Sequence, residues 1–310
     1  MAAPSPDNTD VTDASRRGAY LGPLLSLEQV DASEAGAPAL SAIDLALAEG
    51  GLVGIAGKPG AGHVALAAIL SGTLAAAAGR VVVAGSALRP EARAAAACGL
   101  RRVDPAMLPA GRTGLDAAVA LSRPAGGWLG KLLGGGPDEA QLRRSVTALA
   151  RRLGWESWLA PPFDPREPNR AWLLASLAAA AGGGRVLVLL RPATPSPRTF
   201  VAGLRSLAAL GPATIVLVED SPAPLARLCD RLVLLAAGRK VADDTPVAVL
   251  ASDLGKSILD GVAPPGPEGA ARASAEPPAA AEPSAAPAAV PSPASTGAQA
   301  AVTPPSAKSP

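Results

Sequence analysis

Aromatic residues, histidine and cysteine are scarce in this chain of 310 residues, and each scarcity excludes a class of protein. With 2% aromatic residues, a formal net charge of +2 and no basic stripe, the chain lacks the usual means of stacking on a nucleic acid and neutralising it. Cys98, Cys229 and one histidine are too few and too scattered for a disulfide framework or a protein-built transition-metal site. We therefore expect no nucleic-acid partner, no bound metal and a reducing compartment.

Long uninterrupted hydrophobic runs are also missing, although 49% of the residues are hydrophobic and the mean hydropathy is +0.27. The most apolar stretch, Ala171–Leu190, contains Arg185 and three successive glycines, so it predicts a helix, a turn and a strand. The first 22 residues are polar and include no apolar segment typical of a signal peptide. These patterns predict a cytoplasmic protein without direct membrane insertion.

Composition divides the chain into three zones. Residues 1–22 predict a flexible N-terminal arm, and residues 263–310, rich in Ala and Pro, have too few large apolar side chains to fold and predict a disordered tail. Residues 23–262 alternate short apolar runs with helical patterns, which indicates an α/β domain. A segment without strand patterns at about 110–180, with an amphipathic helix over Pro137–Leu153, predicts an inserted helical subdomain. Buried parallel strands are predicted at Leu52–Ala56, Arg80–Ala84, Val186–Leu190, Thr214–Val218 and Leu232–Leu235.

A glycine-rich loop follows the first of these strands and precedes a helix predicted at Ala65–Leu70. In such a loop, glycines allow backbone N–H groups to surround an anion at the positive end of a helix. The phosphate-loop pattern G-x-x-x-x-G-K-[ST] ends with a lysine for the outer phosphates and a hydroxyl for Mg²⁺. Those two positions hold His63 and Val64 here, so the anion cradle is kept while the metal ligand is lost. The loop reads Gly57-Lys58-Pro59-Gly60-Ala61-Gly62-His63-Val64.

Several further segments occur in the order and spacing of one family, and over roughly residues 25–250 the chain resembles the ATP-binding subunit of ABC transporters. The resemblance implies a P-loop NTPase-like sheet flanked by helices. It also implies a position on the inner face of the cell membrane, with a membrane-spanning permease, a second ATP-binding subunit, or both as partners. The segments that carry it are Leu27–Val30, Leu40–Gly54, the glycine loop, Cys98–Pro109, Val186–Thr194 and Asp230–Arg239.

Carried over position by position, the resemblance places other side chains where the family has its working residues. The adenine-stacking aromatic residue falls on Glu34, the phosphate lysine on His63, the Mg-binding Ser or Thr on Val64 and the glutamine on Val103. The signature loop falls near Asp164, within Phe163–Glu167, and the Mg-coordinating Asp and general-base Glu fall on Leu190 and Arg191. The switch histidine falls on Asp220, or on Glu219 in the adjacent register.

These replacements predict a degenerate subunit, a pseudo-ATPase with a scaffolding or regulatory role in a transport complex. A lost general base alone reduces a rate by about 10²–10⁴, and here several groups are lost together. No cofactor is expected on this interpretation. One alternative is a functional subunit that binds ATP with Mg²⁺ and hydrolyses it slowly. Another is a soluble interaction module that is no longer linked to transport.

Individual side chains within these segments allow a functional and a structural interpretation. Lys58 could replace the missing lysine, although a solvated loop residue is the favoured interpretation. Arg191 could bind an anion, but we expect it to point into solvent from the end of its strand. Trp128, Trp155 and Trp158 fall in the helical subdomain, where they could dock a membrane subunit or pack in the core.

Overall fold

The fold is taken from a computed structural model, which describes residues 22–34, 36–88, 98–123, 138–192, 197–210 and 213–259. Residues 1–21 of the predicted arm and the whole of the predicted tail lie outside the described residues. The strands of the described part form two sheets. In chain order these strands are β1 (Leu25–Glu34), β2 (Ala37–Leu47), β3 (Leu52–Ala56), β4 (Ala78–Val83), β5 (Ser86–Ala87), β6 (Leu100–Val103), β7 (Val186–Leu190), β8 (Thr214–Glu219), β9 (Arg231–Ala236) and β10 (Arg239–Asp244).

The larger sheet has the strand order β10-β9-β3-β8-β7-β6. Strands β9, β3, β8, β7 and β6 run parallel to their neighbours, and β10 returns antiparallel to β9. Parallel strands end at the same edge of a sheet, which is where ligands bind in open α/β folds. The residues that follow Ala56, Leu190 and Glu219 are therefore brought to one edge.

Side chains on the central strands alternate between two apolar layers, one on each face of the larger sheet. In β7, Leu187 and Leu189 face a layer formed mainly by helices, whereas Val186 and Val188 face the layer that contains the first helix and the smaller sheet. Successive side chains of a strand point to opposite faces, so a strand buried on both faces needs a continuous apolar run. This explains why the runs at Leu52–Ala56 and Val186–Leu190 predicted their strands correctly.

The smaller sheet corrects one prediction. The run Arg80–Ala84 was expected to form a buried parallel strand, but β4 pairs antiparallel with β1 in the sheet β2-β1-β4-β5. Only Val81 and Val83 of β4 are buried, while Arg80 is exposed. In antiparallel sheets, commonly only one face packs against the core, so buried and less buried side chains alternate along the strand. This alternation is not visible in the sequence of β4, because the strand ends in three successive valines.

The helices of the described residues lie mainly on the face of the larger sheet opposite the smaller sheet. The amphipathic helix predicted over Pro137–Leu153 is confirmed. The observed helix spans Glu139–Leu153 and buries Leu142, Val146 and Ala150. No helix among the described residues is both long and apolar enough to cross a membrane. The helices are α1 (His63–Leu70), α2 (Gly114–Ser122), α3 (Glu139–Leu153), α4 (Pro168–Ala181), α5 (Pro197–Leu210), α6 (Pro222–Leu225), α7 (Pro246–Ala251) and α8 (Asp253–Leu259).

Candidate functional site

The glycine loop connects β3 to α1 in a left-handed turn. Gly60 and Gly62 have φ angles of +84° and +92°, which glycine adopts without the steric cost of a side chain. The Ala61 amide donates to the Lys58 carbonyl at 2.8 Å, and the Gly57 amide donates to the Glu219 carbonyl at 3.3 Å. No side chain of the described residues caps the N-terminus of α1. The first amides of this helix therefore keep the arrangement that binds an anion in phosphate loops.

The loop is fixed against both sheets. The Gly238 amide, in the turn between β9 and β10, donates to the Ala61 carbonyl at 3.1 Å, and the Ser41 amide of β2 donates to the Gly238 carbonyl at 2.9 Å. A Cβ atom on Gly62 would lie 2.4 Å from the Ala39 carbonyl oxygen. Gly62 is therefore required by close packing as well as by its φ angle.

His63 begins α1 at the position of the phosphate lysine, and its side chain is 1% exposed. Its Nε2 lies 2.8 Å from Oδ1 of Asp220, the residue after β8. Its Nδ1 is buried without a hydrogen-bond partner among the described residues and would lie 3.2 Å from a Cβ on Gly57. The ring thus packs against the start of the loop and reaches across to the end of β8, so His63 and Asp220 form one cluster.

Arg191 is solvent-exposed at the end of its strand, as expected, with 51% of its side chain accessible, and it also joins this cluster. Its Nη2 and Nε donate to Oδ1 of Asp220 at 2.7 and 3.1 Å. The residue has a left-handed φ of +48°, and its amide donates to the Val218 carbonyl at 2.8 Å. This conformation is uncommon outside glycine. It turns the chain at the end of β7 toward the neighbouring strand β8, where the carboxylate lies.

The pKa values of the last residue of β8, Glu219, and of the next residue, Asp220, are shifted in opposite directions. Desolvation alone would raise the pKa of Asp220, but hydrogen bonds from His63 and Arg191 and their charges outweigh it and lower that pKa. Burial raises the pKa of Glu219, the charge of Asp220 raises it further, and Arg191 opposes both effects only partly. Asp220 is consequently a charged acceptor at neutral pH.

Val64 and Leu190, the two positions that the resemblance assigns to magnesium ligation, are brought together by the fold. Both line a small cavity of about 40 Å³ between α1 and β7. Magnesium prefers oxygen ligands in octahedral geometry, but the hydroxyls on this cavity, those of Ser71 and Thr73, hydrogen-bond to each other and to the Ala68 carbonyl. The residues present do not fit a magnesium ion. The other lining residues are Ala67, Ala68, Arg102 and Val188.

The remaining predicted positions lie on separate elements. Glu34 is exposed at the end of β1, and Val103 is buried at the end of β6. Asp164 lies before α4 and accepts a hydrogen bond from the Arg166 amide at 2.9 Å. Lys58 is half-buried in the loop. The structure thus assembles the loop with His63, Val64, Leu190, Arg191 and Asp220 at one edge of the larger sheet.

Two contributors to the site were missed by sequence reasoning. Gly238 lies in the segment Asp230–Arg239, for which no role at the loop was predicted, yet its amide hydrogen-bonds to the loop. Arg102 lines the same cavity as Val64 and belongs to β6, a four-residue strand that was not predicted as a strand. The resemblance of the segment around Gly238 was the available signal for the first, and no signal in the sequence marked the second.

Two of the three tryptophans of the predicted docking region are described. The rings of Trp155 and Trp158 stack with centroids 5.0 Å apart and an interplanar angle of 24°. Trp155 is buried in the helical layer, next to Gly203 of α5. This confirms the core-packing interpretation for Trp155. Trp128 lies outside the described residues.

Comparison with known proteins gives relatives of one kind, although no family model matches the chain. The hemin import ATP-binding protein HmuV of Pseudomonas fluorescens strain Pf0-1 is 32% identical over 228 residues, which span 71% of this chain and 86% of that protein. The protein of the same name from P. fluorescens strain Pf-5 (ATCC BAA-477) is 30% identical over 244 residues, spanning 76% of this chain and 92% of that protein.

Solved structures share the fold at lower identity. CbiO1 of Clostridium perfringens, part of the ABC transporter complex CbiONQ, aligns with a TM-score of 0.61 and 18% identity, covering 77% of this chain and 95% of its own. A nucleotide-free ATP-binding cassette from an ABC transporter aligns with a TM-score of 0.63 and 17% identity, covering 76% and 98%. These alignments establish the likeness of the fold.

Proposed function

Because this chain belongs to the family of ABC transporter ATP-binding subunits, we propose that it serves a membrane transport complex as a subunit that does not hydrolyse ATP at an appreciable rate. Its role there is to support or regulate the assembly. The single observation that carries this proposal is the cavity shared by Val64 and Leu190, where the side chains do not fit a magnesium ion.

The chemistry of phosphoryl transfer explains why that observation matters. Catalysis of this reaction consists mainly of positioning and of stabilising the negative charge that spreads over the transferred group. At the positions where the family has a lysine, a metal-binding carboxylate and a general base, this chain has His63, Leu190 and Arg191. Arg191 carries the charge opposite to that of a base and is already paired with Asp220. The residues at this edge of the sheet therefore support a structural role better than turnover.

The partners we propose are a membrane-spanning permease and a second ATP-binding subunit, on the inner face of the membrane. This is supported by the relatives, which are named as ATP-binding proteins of import, and by CbiO1, which is part of a transporter complex. The name of the HmuV relatives suggests hemin as one substrate class for the complex of this chain.

A working ATP-binding subunit is the second candidate, and the glycine loop favours it. Gly60 and Gly62 keep their left-handed conformations, and the start of α1 has no side-chain cap among the described residues. Such a loop can hold phosphates through its backbone. The two candidates differ in metal dependence, since the working subunit binds ATP more tightly with Mg²⁺ and the proposed one binds it equally weakly with and without the ion.

The deciding experiment measures phosphate release from Mg-ATP by the full-length chain, alone and together with any membrane subunits that co-purify with it. We expect background rates for the chain alone, and rates in the complex that do not change when Gly60→Ala is introduced into this chain. Gly60 suits this comparison because a Cβ there meets no other atom within 4 Å. Turnover that Gly60→Ala abolishes would overturn the proposal. Recovery of the native chain without any membrane subunit would favour the soluble interaction module.

A further inference from the structure

The acidic residue after β8 has an unusual set of partners for its position. Oδ1 of Asp220 accepts from Nε2 of His63 at 2.8 Å and from Nη2 and Nε of Arg191 at 2.7 and 3.1 Å. These donors come from two different elements, the start of α1 and the end of β7. One oxygen atom of Asp220 thus accepts hydrogen bonds from side chains on both of these elements.

Part of this geometry resembles what a bound phosphate oxygen would receive, namely the side-chain donor from the start of the helix. A phosphate loop offers its anion backbone N–H groups and one cationic side chain from the start of the helix. Here the side chain at that position, His63, is fully buried and already directed to a carboxylate. The carboxylate is supplied by the protein itself, and it remains charged because the two donors lower its pKa.

We propose that Asp220 acts as a built-in anion that closes the phosphate loop and excludes polyphosphates from it. This inference rests on the proposed function and extends it, because it names a residue that weakens the binding of a nucleotide's phosphates. An incoming polyphosphate meets a fixed negative charge beside the loop, and it must also compete with Asp220 for His63 and Arg191. Like charges at such short range repel one another.

The central test compares the wild-type chain with Asp220→Asn. The amide of asparagine keeps an oxygen that accepts hydrogen bonds from His63 and Arg191, but it removes the charge. Tripolyphosphate without metal is the probe, because it reports on the loop without contributions from adenine or Mg²⁺. We expect Asp220→Asn to bind tripolyphosphate about tenfold more tightly than the wild type in calorimetry, which corresponds to about 1.4 kcal/mol.

Two matched variants separate removal of the charge from other effects. Glu156→Gln removes an exposed carboxylate that pairs with Arg151 in the helical layer, and it should leave tripolyphosphate affinity at the wild-type level. Arg191→Gln breaks the same cluster but keeps the Asp220 carboxylate, so it should bring no gain in affinity. An equal gain in Arg191→Gln would mean that loosening the cluster is sufficient, which would overturn the proposal.

The single histidine provides a second readout that needs no assignment, because His63 is the only histidine in the sequence. In a chain carrying ¹³C-labelled histidine, tripolyphosphate should shift the ring signals of Asp220→Asn and leave those of the wild type in place. Equal shifts in both proteins, or no difference in affinity, would overturn the inference while leaving the proposed function intact. Conversely, Mg-dependent ATP turnover by the wild type would overturn the proposed function. The affinities of the wild type and Asp220→Asn for tripolyphosphate would then still decide whether Asp220 opposes polyphosphate binding.

Discussion

The two left-handed glycines of the loop should respond very differently to the same substitution. Gly60→Ala and Gly62→Ala both place a methyl group on a residue with positive φ, +84° and +92° respectively. An L-residue in the left-handed region costs about 1–2 kcal/mol. The lower entropy of the unfolded alanine chain returns about 0.4–1 kcal/mol of that. Backbone strain alone therefore predicts a loss of about 1 kcal/mol for each variant.

Close packing separates the two variants. A Cβ on Gly60 meets nothing within 4 Å, whereas a Cβ on Gly62 would lie 2.4 Å from the Ala39 carbonyl oxygen and 2.8 Å from Cδ2 of Leu40. The nearer of these atoms belongs to the backbone, so the loop or β2 has to move, and overpacking of this kind costs about 1–3 kcal/mol. We expect Gly62→Ala to be less stable than Gly60→Ala by about 2 kcal/mol.

The difference is measurable by thermal unfolding followed by circular dichroism. For a domain of this size, 1 kcal/mol shifts the Tm by about 2–4 °C, so the Tm of Gly62→Ala should lie about 4–8 °C below that of Gly60→Ala. Urea unfolding supplies an independent value of the same difference. Equal losses in both variants would refute the reasoning, because they would mean that the contact between the loop and β2 adds nothing to the backbone strain.

Two further predictions concern ionisable groups away from the loop. Desolvation would raise the pKa of Asp243, but hydrogen bonds from Arg231 and Lys240 outweigh it and lower that pKa. The Asp243 carboxylate therefore stabilises the fold fully above the unfolded-state pKa of about 3.9. This stabilisation is lost as the pH falls through the lower folded-state pKa. Asp243→Asn should therefore reduce the free energy of unfolding by about 2 kcal/mol at pH 7. The difference from the wild type should be smaller below about pH 4. Urea unfolding measures this difference, and a value that stays constant with pH would contradict the prediction. Burial raises the pKa of Cys229 to about 12. Iodoacetamide at pH 8 should therefore modify half-buried Cys98 in the native protein and Cys229 only after unfolding. Equal labelling of the two cysteines in the native protein, measured by mass spectrometry, would contradict this prediction.

The buried strands of the larger sheet could be predicted because both of their faces are covered. The continuous apolar runs in β3 and β7 are typical of strands buried on both faces of a parallel sheet. In contrast, β6 has only four residues, two of them arginines, and its pairing with β7 depends on a neighbour more than 80 positions away in the sequence. The strand therefore has too little local signal to be predicted.

The composition of the candidate site was predictable, but its pairing was not. The resemblance to ABC transporter ATP-binding subunits placed His63, Arg191 and Asp220 at working positions of the family, and the fold brings them to one edge. The pairing of Arg191 with Asp220 depends on the adjacency of β7 and β8 and on a left-handed φ in a non-glycine residue. Neither feature is visible locally in the sequence, so the exposure of Arg191 was predicted but its pairing with Asp220 was not.

The small cavity between Val64 and Leu190 has an evolutionary consequence. Val64→Ser alone would place a hydroxyl opposite Leu190, and Leu190→Asp alone would place a carboxylate next to Val64, beside Arg191. Each single step replaces apolar contacts that line the cavity with a polar group. Neither step alone assembles the several oxygen ligands that magnesium requires. If the proposed function holds, a lineage that accumulates one substitution at a time loses apolar packing before it gains a metal site, which favours retention of the apolar pair.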